Sequence, residues 1–473
     1  MAQKYFKKTK IVATIGPISE NPVMLSKMIK AGVNVARLNF SHGDHNEHAK
    51  RIAFIKEAVK KAGQDIAILQ DLGGVKIRIG DFAVGRIVLK KGQKFTMTTR
   101  RVLGNSEKVY VNYKKLPQEV KKGQDILLDD GTKKLVVTKI TPIEIETKVV
   151  VGGMIRSRRG VNVPGARLSC DALTAKDKKD VNFGIENDVD FMALSFVRSA
   201  KDVVSLKNIL KRKKSTIKVI AKIETPEAIE DIDEIISVAD GIMVARGDLA
   251  IEVPAADVPH LQKMIVKKCN VVGKPVIVAT QMLESMISTP VPTRAEVTDV
   301  ANAIFDGADA VMLSAESAVG DYPVETIKMM SDVAIRTEQE LTCRMIKDNE
   351  EHMSRTVNAV SHSAIQIAHD VNAVAIVALT ESGFSARKIA RYRPTRPVIA
   401  LTPHRHTYRH LQLTFGVRPH VVEHFGTVVQ TISQTKRFIQ KNKYAKKNEK
   451  MVFVAGLPFG KEGTTNMVIV EKI

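Results

Sequence analysis

The chain has 473 residues, a formal net charge of +22 and 44% hydrophobic residues. This length is enough for two or three domains, and no apolar run reaches the roughly 18 residues of a membrane span, so we expect no membrane association. The positive charge favours anionic partners such as phosphorylated metabolites. Nucleic acid is disfavoured, because aromatic residues are 5% and no RNA-binding or zinc-finger spacing occurs. The distant cysteines Cys170, Cys269 and Cys343 predict reduced thiols in a cytoplasmic protein.

Eight apolar runs, each ending in polar residues, recur along the chain, and helical patterns separate most of them. Strands that alternate with helices favour a parallel sheet, and eight of them favour a closed (β/α)8 TIM barrel. TIM barrels carry their chemistry on the loops that follow the carboxyl ends of the strands. The predicted strands are 10–16, 33–40, 65–72, 189–196, 217–224, 241–248, 274–281 and 309–316, and the clearest helices are 226–238, 258–271 and 293–305.

Polar residues gather at these strand ends, which a barrel would bring to one mouth. Lys222 and Glu224 are two apart, and residues i and i+2 of a strand share a face. Thr225 and Pro226 are typical of an N-cap and a first helical position, so the pair lies at a strand-to-helix junction. Alone, a Lys–Glu pair on a strand rim is an ordinary structural feature, but the recurrence favours a functional mouth. The other residues at strand ends are Arg37, Asn39, Ser41, Asp71, Arg246, Asp248, Thr280, Ser314 and Glu316.

Three histidines at a spacing of three residues, His42, His45 and His48, follow the second predicted strand. A zinc site is conceivable at such a cluster. The favoured interpretation is a helix that is capped by Ser41 or Asp44 and carries the histidines on its first turns.

From residue 73 to 167 the pattern changes to short β-rich segments separated by turn signals. We predict a small β-barrel or sandwich inserted after the third barrel strand, so that the catalytic barrel comprises 1–72 and 168–345. An insertion at that loop lies over the mouth, where it is placed to act as a lid. The predicted lid strands are 85–89, 94–99, 125–128, 134–140 and 144–150.

A polar stretch at 344–355 marks a boundary, and 346–473 is typical of a separate α/β domain. Two of its loops have the composition of anion-binding loops: 380–385 is rich in hydroxyls, and 456–466 is rich in glycine. Plain turns would explain both loops, and the first is the better phosphate candidate. The predicted elements are a helix at 356–369 and strands at 371–379, 397–401, 417–422, 451–455 and 467–470.

The chemistry of the predicted mouth suits phosphate groups and a divalent cation. No Walker A or GxGxxG motif occurs, so a nucleotide enzyme with this sequence would hold phosphates with metals and basic side chains. Glu224 and Asp248 suit an oxygen-ligated Mg²⁺, and Arg37 and Arg78 suit phosphate. Lys222 beside a cation suits the stabilisation of an enolate or a transferring phosphoryl group.

Six ordered segments resemble motifs of the pyruvate kinase family, and the resemblance covers nearly the whole chain. It implies a TIM barrel with an inserted lid and a C-terminal α/β regulatory domain. It also implies phosphoryl transfer from phosphoenolpyruvate to ADP with Mg²⁺ or Mn²⁺, giving pyruvate and ATP, by a cytoplasmic homotetramer that a phosphorylated effector activates. The segments are A-R-L-N-F-S-H-G at 36–43, A-K-I-E at 221–224, V-A-R-G-D-L at 244–249, A-T-Q-M-L-E-S-M at 279–286, P-T-R-A-E at 292–296 and M-L-S-A-E at 312–316.

The resemblance also implies roles for individual residues. Glu224 and Asp248 match the family's Mg²⁺ ligands, Lys222 matches the lysine that stabilises the transferring phosphoryl group and the enolate, and Arg37 matches the arginine on that group. The remaining matches are Gly247, Asp248 and Thr280 for the substrate carboxylate; Arg78, Arg159 and Asn39 for the nucleotide; Asn39, Ser41, Asp71 and the Leu72 carbonyl for K⁺; and Thr380, Glu381, Ser382, Gly383 and Ser385 for the effector phosphate.

The sequence departs from the family pattern at a few positions. Val75 stands where proline is usual, and Ala250 and Ala315 stand where glycine is usual; we interpret the two alanines as packing changes. Lys76 stands where many members have glutamate. Its ammonium would repel K⁺ and could substitute for its charge, which predicts that K⁺ is not required. The alternative is that Lys76 points to solvent and K⁺ still binds.

A different class of function also fits these residues. A pyruvate-forming lyase on a similar Mg²⁺ barrel would also need Glu and Asp ligands and a group that stabilises an enolate. Such a lyase would not need an inserted domain that faces ADP.

Overall fold

The computed structural model of the chain describes residues 7–166, 168–169, 171–343, 355–461 and 463–473. The side chain of Asn21 accepts a hydrogen bond from a first-turn amide of the first helix, and that of Asp44 does the same for the second. Asp44, rather than Ser41, is therefore the cap that the sequence left open. The first elements are β1 (Lys10–Thr14), α1 (Pro22–Ala31), β2 (Val35–Asn39), α2 (His45–Ala62) and β3 (Ala67–Asp71).

The insertion after β3 is a β domain with one apolar core. Its elements are β4 (Arg86–Leu89), β5 (Lys94–Thr98), β6 (Lys108–Tyr110), α3 (Leu116–Glu119), β7 (Asp125–Leu128), β8 (Lys133–Ile140), β9 (Glu144–Val151), β10 (Gly153–Arg156) and β11 (Val161–Asn162). Six strands form a sheet in the order β11-β7-β8-β9-β5-β6, and β10 pairs with β4. The sequence missed β6, β10 and β11, because all three strands are short. In addition, Gly153 looked like a turn residue but pairs with Leu89 at the start of β10.

The chain then returns to the barrel. A single helix was predicted at 226–238, and this is wrong: Asp231 leaves the helical conformation, and its carboxylate accepts a hydrogen bond from the amide of Ala200 at 2.7 Å. The elements are α4 (Ala175–Glu186), β12 (Phe191–Leu194), α5 (Ala200–Arg212), β13 (Lys218–Ile223), α6 (Pro226–Glu230), α7 (Ile232–Val238), β14 (Gly241–Ala245), α8 (Arg246–Glu252), α9 (Val258–Val272), β15 (Val276–Ala279), α10 (Arg294–Asp306), β16 (Ala310–Leu313), α11 (Ala315–Ala318) and α12 (Pro323–Glu338), with one-turn 3-10 helices at Ala255–Asp257 and Glu284–Ile287.

Eight parallel strands close into a barrel in the order β1-β16-β15-β14-β13-β12-β3-β2, which confirms the predicted TIM barrel. One apolar cluster, including Val12 and Met243, fills the barrel interior. A larger cluster, including Leu38 and Val244, joins the strands to the surrounding helices. Because every barrel strand runs in the same direction, all eight carboxyl ends meet at one mouth.

The C-terminal domain is a separate α/β unit, as predicted. Its five-stranded sheet has the order β19-β18-β17-β20-β21, and only β21 is antiparallel to its neighbour. The predicted boundary at 345–346 lies outside the described residues, as do Cys170 and the lid limit at 167. The elements are α13 (Arg355–Asp370), β17 (Ala375–Leu379), α14 (Phe384–Ala390), β18 (Val398–Thr402), α15 (Arg405–His410), β19 (Val417–Val421), α16 (Val428–Lys441), β20 (Lys450–Ala455) and β21 (Met467–Lys472), with a 3-10 turn at Leu411–Leu413.

Buried polar contacts attach this domain to the end of the barrel opposite the mouth. Arg393 donates to both carboxylate oxygens of Asp309, just before β16, at 3.0 and 3.1 Å. Lys10, at the start of β1, donates to the carbonyl oxygen of Val417 at 2.7 Å. The C-terminal domain therefore does not cover the mouth, which faces the lid. Within the described ranges, no helix has the length and apolarity to cross a bilayer.

Candidate active site

A polar pocket lies between the mouth of the barrel and the lid. Barrel and lid each supply part of its wall. It brings together most of the predicted site residues, and Asp71, Leu72, Gly247 and Thr280 lie against them. The pocket is lined by Arg37, Asn39, Ser41, His42, Gly73, Lys76, Arg78, Asp130, Arg158, Arg159, Gly160, Ser195, Phe196, Lys222, Glu224 and Asp248.

Lys222 lies at the centre of this pocket, near the end of β13, and is 9% exposed. Its Nζ lies 2.8 Å from Glu224 Oε1 and 3.4 Å from Asp71 Oδ1, and it donates to Ser195 Oγ at 2.7 Å. Burial alone would lower the pKa of Lys222, but the charges of Asp71, Glu224 and Asp248 raise it above its ordinary value. The ammonium therefore stays charged over the whole physiological range of pH.

Arg37 is fixed beside Lys222 by two partners. Its Nε and Nη2 both lie 2.7 Å from Asp71 Oδ2, and its Nη1 donates to Thr14 Oγ1 at 2.8 Å. Burial would raise the pKa of the Asp71 carboxyl, but Lys222 and Arg37 hold it below its usual range. Asp71 thus remains a carboxylate that orients two cations toward the same space.

Glu224 and Asp248 have the properties expected of metal ligands. Glu224 is fully buried, and burial raises its pKa while Lys222 opposes the shift. Its Oε2 accepts from the amide of Phe196 at 2.7 Å. Oε1 has no hydrogen-bond donor in suitable geometry among the described residues, despite its short distance to Lys222 Nζ. Asp248, in the first turn of α8, lines the same pocket, so the two carboxylates fit an oxygen-ligated divalent cation.

The pocket as a whole attracts anions. Its lining carries six cationic side chains, from Arg37, Lys76, Arg78, Arg158, Arg159 and Lys222, against the three carboxylates of Asp130, Glu224 and Asp248. Partial burial lowers the pKa of His42, and the nearby Arg78, Lys76 and Arg37 lower it further. A polyanionic ligand would relieve this excess of positive charge.

The residues predicted to bind the substrate carboxylate are present, but in this structure they bond to one another. Thr280 Oγ1 accepts from the amide of Gly247 at 2.8 Å and donates to the carbonyl oxygen of Ala279 at 2.6 Å. Thr280 has a left-handed backbone, with φ of 71°, which directs its side chain toward α8. A bound carboxylate would have to take the place of the contact between Thr280 and Gly247.

The four residues predicted to bind K⁺ lie together, but three of their oxygens already accept hydrogen bonds. Asn39 Oδ1 accepts from the amide of Ser41 at 3.1 Å, the Leu72 carbonyl accepts from Ser195 Oγ at 2.8 Å, and Asp71 is shared as described above. Lys76 lines the same pocket. This placement disfavours the alternative in which Lys76 points away to solvent.

Some polar residues at strand ends have structural partners instead. Arg246 pairs with Asp299 at 2.7 Å, and both Glu316 oxygens accept from backbone amides, of Leu283 and Ser314. Two of the histidines after β2 are also structural: His48 stacks on Phe40, and His45 Nε2 lies 2.8 Å from Asp180 Oδ1. No group of three or more potential metal-binding side chains, of the histidine, cysteine and acidic types, occurs among the described residues.

Sequence reasoning missed three contributors to the site. Thr14 follows the apolar run of β1 and orients Arg37. Ser195 and Phe196 follow β12, and the sequence assigned no site residue to the end of that strand or to the end of β1. Their position at the end of the predicted strand 189–196 was the available signal, but an isolated serine beside phenylalanine does not suggest chemistry.

The predicted effector loop lines a second pocket, in the C-terminal domain, together with the glycine-rich loop. Glu381 Oε2 lies 2.7 Å from His404 Nε2, and Ser385 Oγ bonds Thr465 Oγ1 at 2.7 Å. Gly383 has a φ of 78°, which few other residues adopt. The lining is Leu379, Thr380, Glu381, Ser382, Phe384, Ser385, Phe425, Gly456, Phe459, Gly460, Lys461, Gly463 and Thr464.

Comparison with known proteins gives one consistent family. The profile of the pyruvate kinase barrel domain matches residues 6–327, and that of the pyruvate kinase alpha/beta domain matches residues 358–471. Pyruvate kinase of Thermotoga maritima is 46% identical over 467 residues, which are 99% of this chain and 100% of that protein. Pyruvate kinase of Geobacillus stearothermophilus is 46% identical over 472 residues, which are 99% of this chain and 80% of that protein.

Solved structures agree with the sequence comparison. A crystal structure of a pyruvate kinase from Cryptosporidium parvum superposes with a TM-score of 0.91 at 37% sequence identity. The alignment covers 98% of this chain and 96% of that one, so the likeness includes barrel, lid and C-terminal domain together.

Proposed function

Since this chain belongs to the pyruvate kinase family and is a phosphotransferase of glycolysis, we propose that its pocket transfers the phosphoryl group of phosphoenolpyruvate to ADP. The observation that carries this proposal is the central ammonium of Lys222, which touches Glu224 and Asp71 in a pocket that five other cationic side chains also line. Such an arrangement suits the charge that is spread over the transferring group and the enolate.

We assign the roles around the transferring group as follows. Lys222 and Arg37 bind its oxygens, and Lys222 also stabilises the enolate that the phosphoryl group leaves behind. Thr280, with the amides of Gly247 and Asp248, binds the substrate carboxylate. Taking up a proton, the enolate becomes pyruvate, while the phosphoryl group forms its new bond with a terminal oxygen of ADP.

The nucleotide lies on the lid side of the pocket in this proposal. Arg78 and Arg159 belong to the lid and line the pocket, and Asn39 faces them from the barrel. Lid cations that face the mouth favour an enzyme that binds a nucleotide over a pyruvate-forming lyase. Arg159 is held in part by Asp129, 3.2 Å from its Nε, so a nucleotide phosphate would compete with that carboxylate.

Glu224 and Asp248 are the proposed ligands of Mg²⁺ or Mn²⁺. The proposal is supported by Glu224 Oε1, which pairs with the Lys222 ammonium at 2.8 Å but accepts no hydrogen bond of suitable geometry from the described residues. When bound, the ion supplies positive charge that holds the substrate oxygens together and neutralises the charge on them. K⁺ is not required in this proposal, because Lys76 supplies in the pocket the positive charge that K⁺ would otherwise supply.

Regulation and assembly belong to the same proposal. A phosphorylated effector binds the loop 380–385, through Thr380, Ser382 and Ser385, with Lys461 opposite. The enzyme is a homotetramer of the cytoplasm, and the free thiols of Cys269 and Cys343 suit a reducing compartment.

ATP formation tests the proposal directly. We expect ATP when phosphoenolpyruvate, ADP and Mg²⁺ are all present, and loss of activity on chelation that either Mg²⁺ or Mn²⁺ restores. Replacing K⁺ by tetramethylammonium at equal ionic strength should change turnover less than about twofold. Pyruvate formed without ADP would contradict the phosphotransfer, and a many-fold loss in tetramethylammonium would contradict the role of Lys76.

A further inference from the structure

The two residues that follow β12 contact both Lys222 and Glu224. Ser195, which is 3% exposed, accepts a hydrogen bond from Lys222 Nζ at 2.7 Å. Its own hydroxyl donates to the carbonyl oxygen of Leu72 at 2.8 Å. The next amide, of Phe196, donates to Glu224 Oε2 at 2.7 Å. Consecutive residues therefore hold the ammonium and the carboxylate that the proposed chemistry uses.

Ser195 differs from the other partners of the ammonium. A lysine has a flexible four-carbon stem, so packing and hydrogen bonds must fix the direction of its N–H bonds. Glu224 is the proposed metal ligand, and Asp71 is already held by Arg37. The hydroxyl of Ser195 is the neutral partner that neither a metal nor Arg37 engages, so it can keep its bond to Lys222 throughout the reaction.

The backbone at this point is shaped to present the hydroxyl. Phe196 has a φ of 52°, a left-handed conformation that residues with a side chain seldom adopt. Gly74, at the start of the lid, packs on the same segment: a Cβ there would lie 3.0 Å from Ser195 Cβ and 3.1 Å from Phe196 Cδ2. The left-handed turn and the glycine together let Ser195 reach inward under the lid.

We infer that Ser195 is a positioning residue for phosphoryl transfer, which fixes the direction of the Lys222 ammonium while the adjacent amide fixes Glu224. The inference rests on the proposed role of Lys222. It gives the end of β12 a function in the reaction.

The substitution Ser195→Ala tests the inference. A hydrogen bond to a charged group typically corresponds to a 10- to 100-fold effect, so kcat should fall roughly 10- to 100-fold. The KM for phosphoenolpyruvate and the affinity for Mn²⁺ should stay within about threefold, because the Phe196 amide still holds Glu224. If the substitution instead disrupted the segment of Ser195 and Phe196, the affinity for Mn²⁺ would fall together with kcat.

A double-mutant cycle shows whether Ser195 acts through Lys222. In a Lys222→Met background, Ser195→Ala should change kcat less than about twofold. The control is Ser19→Ala, which removes a buried hydroxyl that bonds the backbone of Gly16, and it should leave kcat within about twofold.

The outcomes are distinct. Normal turnover of Ser195→Ala, or an equal loss in both backgrounds, would overturn the inference while leaving the proposed function intact. Normal turnover of Lys222→Met would instead remove the premise that both share.

Discussion

Single residues at the mouth are held by contacts that the sequence predicts only in part. The two-residue period of a strand placed Lys222 and Glu224 on one face, and their charged atoms are 2.8 Å apart. Ser195 could not be found in this way, because a left-handed Phe196 turns the chain just where strand periodicity ends. Distances that depend on such local conformations require the folded structure.

The charge of Lys76 gives a prediction for the cation requirement. At about 6 Å and an effective dielectric constant of about 20, an ammonium repels K⁺ by roughly 3 kcal/mol, on the order of 100-fold in affinity. Lys76→Glu should therefore create a requirement for K⁺, measured as turnover in K⁺ relative to tetramethylammonium. Lys148→Glu makes the same charge change at an exposed lid position and should leave the ratio unchanged. Equal turnover of Lys76→Glu in both salts would refute the prediction.

Elements were predicted better than single contacts. All eight barrel strands were found, because buried parallel strands are continuous apolar runs with turn signals at their ends. The division of 226–238 into α6 and α7 was not, because it depends on a contact between Asp231 and the distant amide of Ala200. The short lid strand β11, with two residues, carries too little periodicity to be recognised.

The contact between α15 and the base of β12 gives a prediction of pH dependence. Burial raises the pKa of Asp190 to about 7, although Arg409 opposes the shift, and Asp190 Oδ2 accepts from the amide of Ile68 at 2.8 Å. The ordinary pKa of this carboxyl is 3.8, so between about pH 3.8 and pH 7 the folded state keeps a proton that the unfolded state has released. The contribution of Asp190 to stability is complete at low pH and is lost as pH rises through about 7.

Asp190→Asn should remove this pH-dependent contribution of Asp190 to stability. Between pH 5 and pH 8 the free energy of unfolding of the unmodified protein should fall by about 2–3 kcal/mol more than that of the variant. Urea unfolding at both pH values measures the difference, in which other titrating groups cancel. Parallel profiles for the two proteins would show that Asp190 is ionised across this range.

At the scale of the whole molecule, two domains attach to opposite ends of one barrel. The lid faces the mouth, and the C-terminal domain binds the other end through Arg393 and Asp309, directly before β16. Since α14 runs from the effector loop toward Arg393, an effector bound at 380–385 is placed to act on the barrel through this interface. Such coupling typically amounts to roughly 1–3 kcal/mol.

Ser382→Asp tests the regulatory part of this arrangement. A carboxylate beside Glu381 would repel a phosphate, so activation by sugar phosphates and nucleoside monophosphates should be lost. Maximal velocity at saturating phosphoenolpyruvate should be retained, since the pocket at the mouth is untouched. Ser382→Ala adds no charge to the site and should retain part of the response. If Ser382→Asp still responds to the same compound at the same concentration, the effector binds elsewhere.

The turnover of Lys222→Met is the most direct test of the account, because the whole arrangement of strand ends and lid converges on that ammonium. An oriented charge at a transition state is worth about 3–4 kcal/mol, so kcat should fall about 10²- to 10³-fold. The KM for phosphoenolpyruvate should change little, because the charge acts mainly on the transition state. Lys218→Met, at the other end of β13, serves as the control and should keep normal turnover. A folded Lys222→Met protein that binds Mn²⁺ and turns over at a near-normal rate would contradict the account.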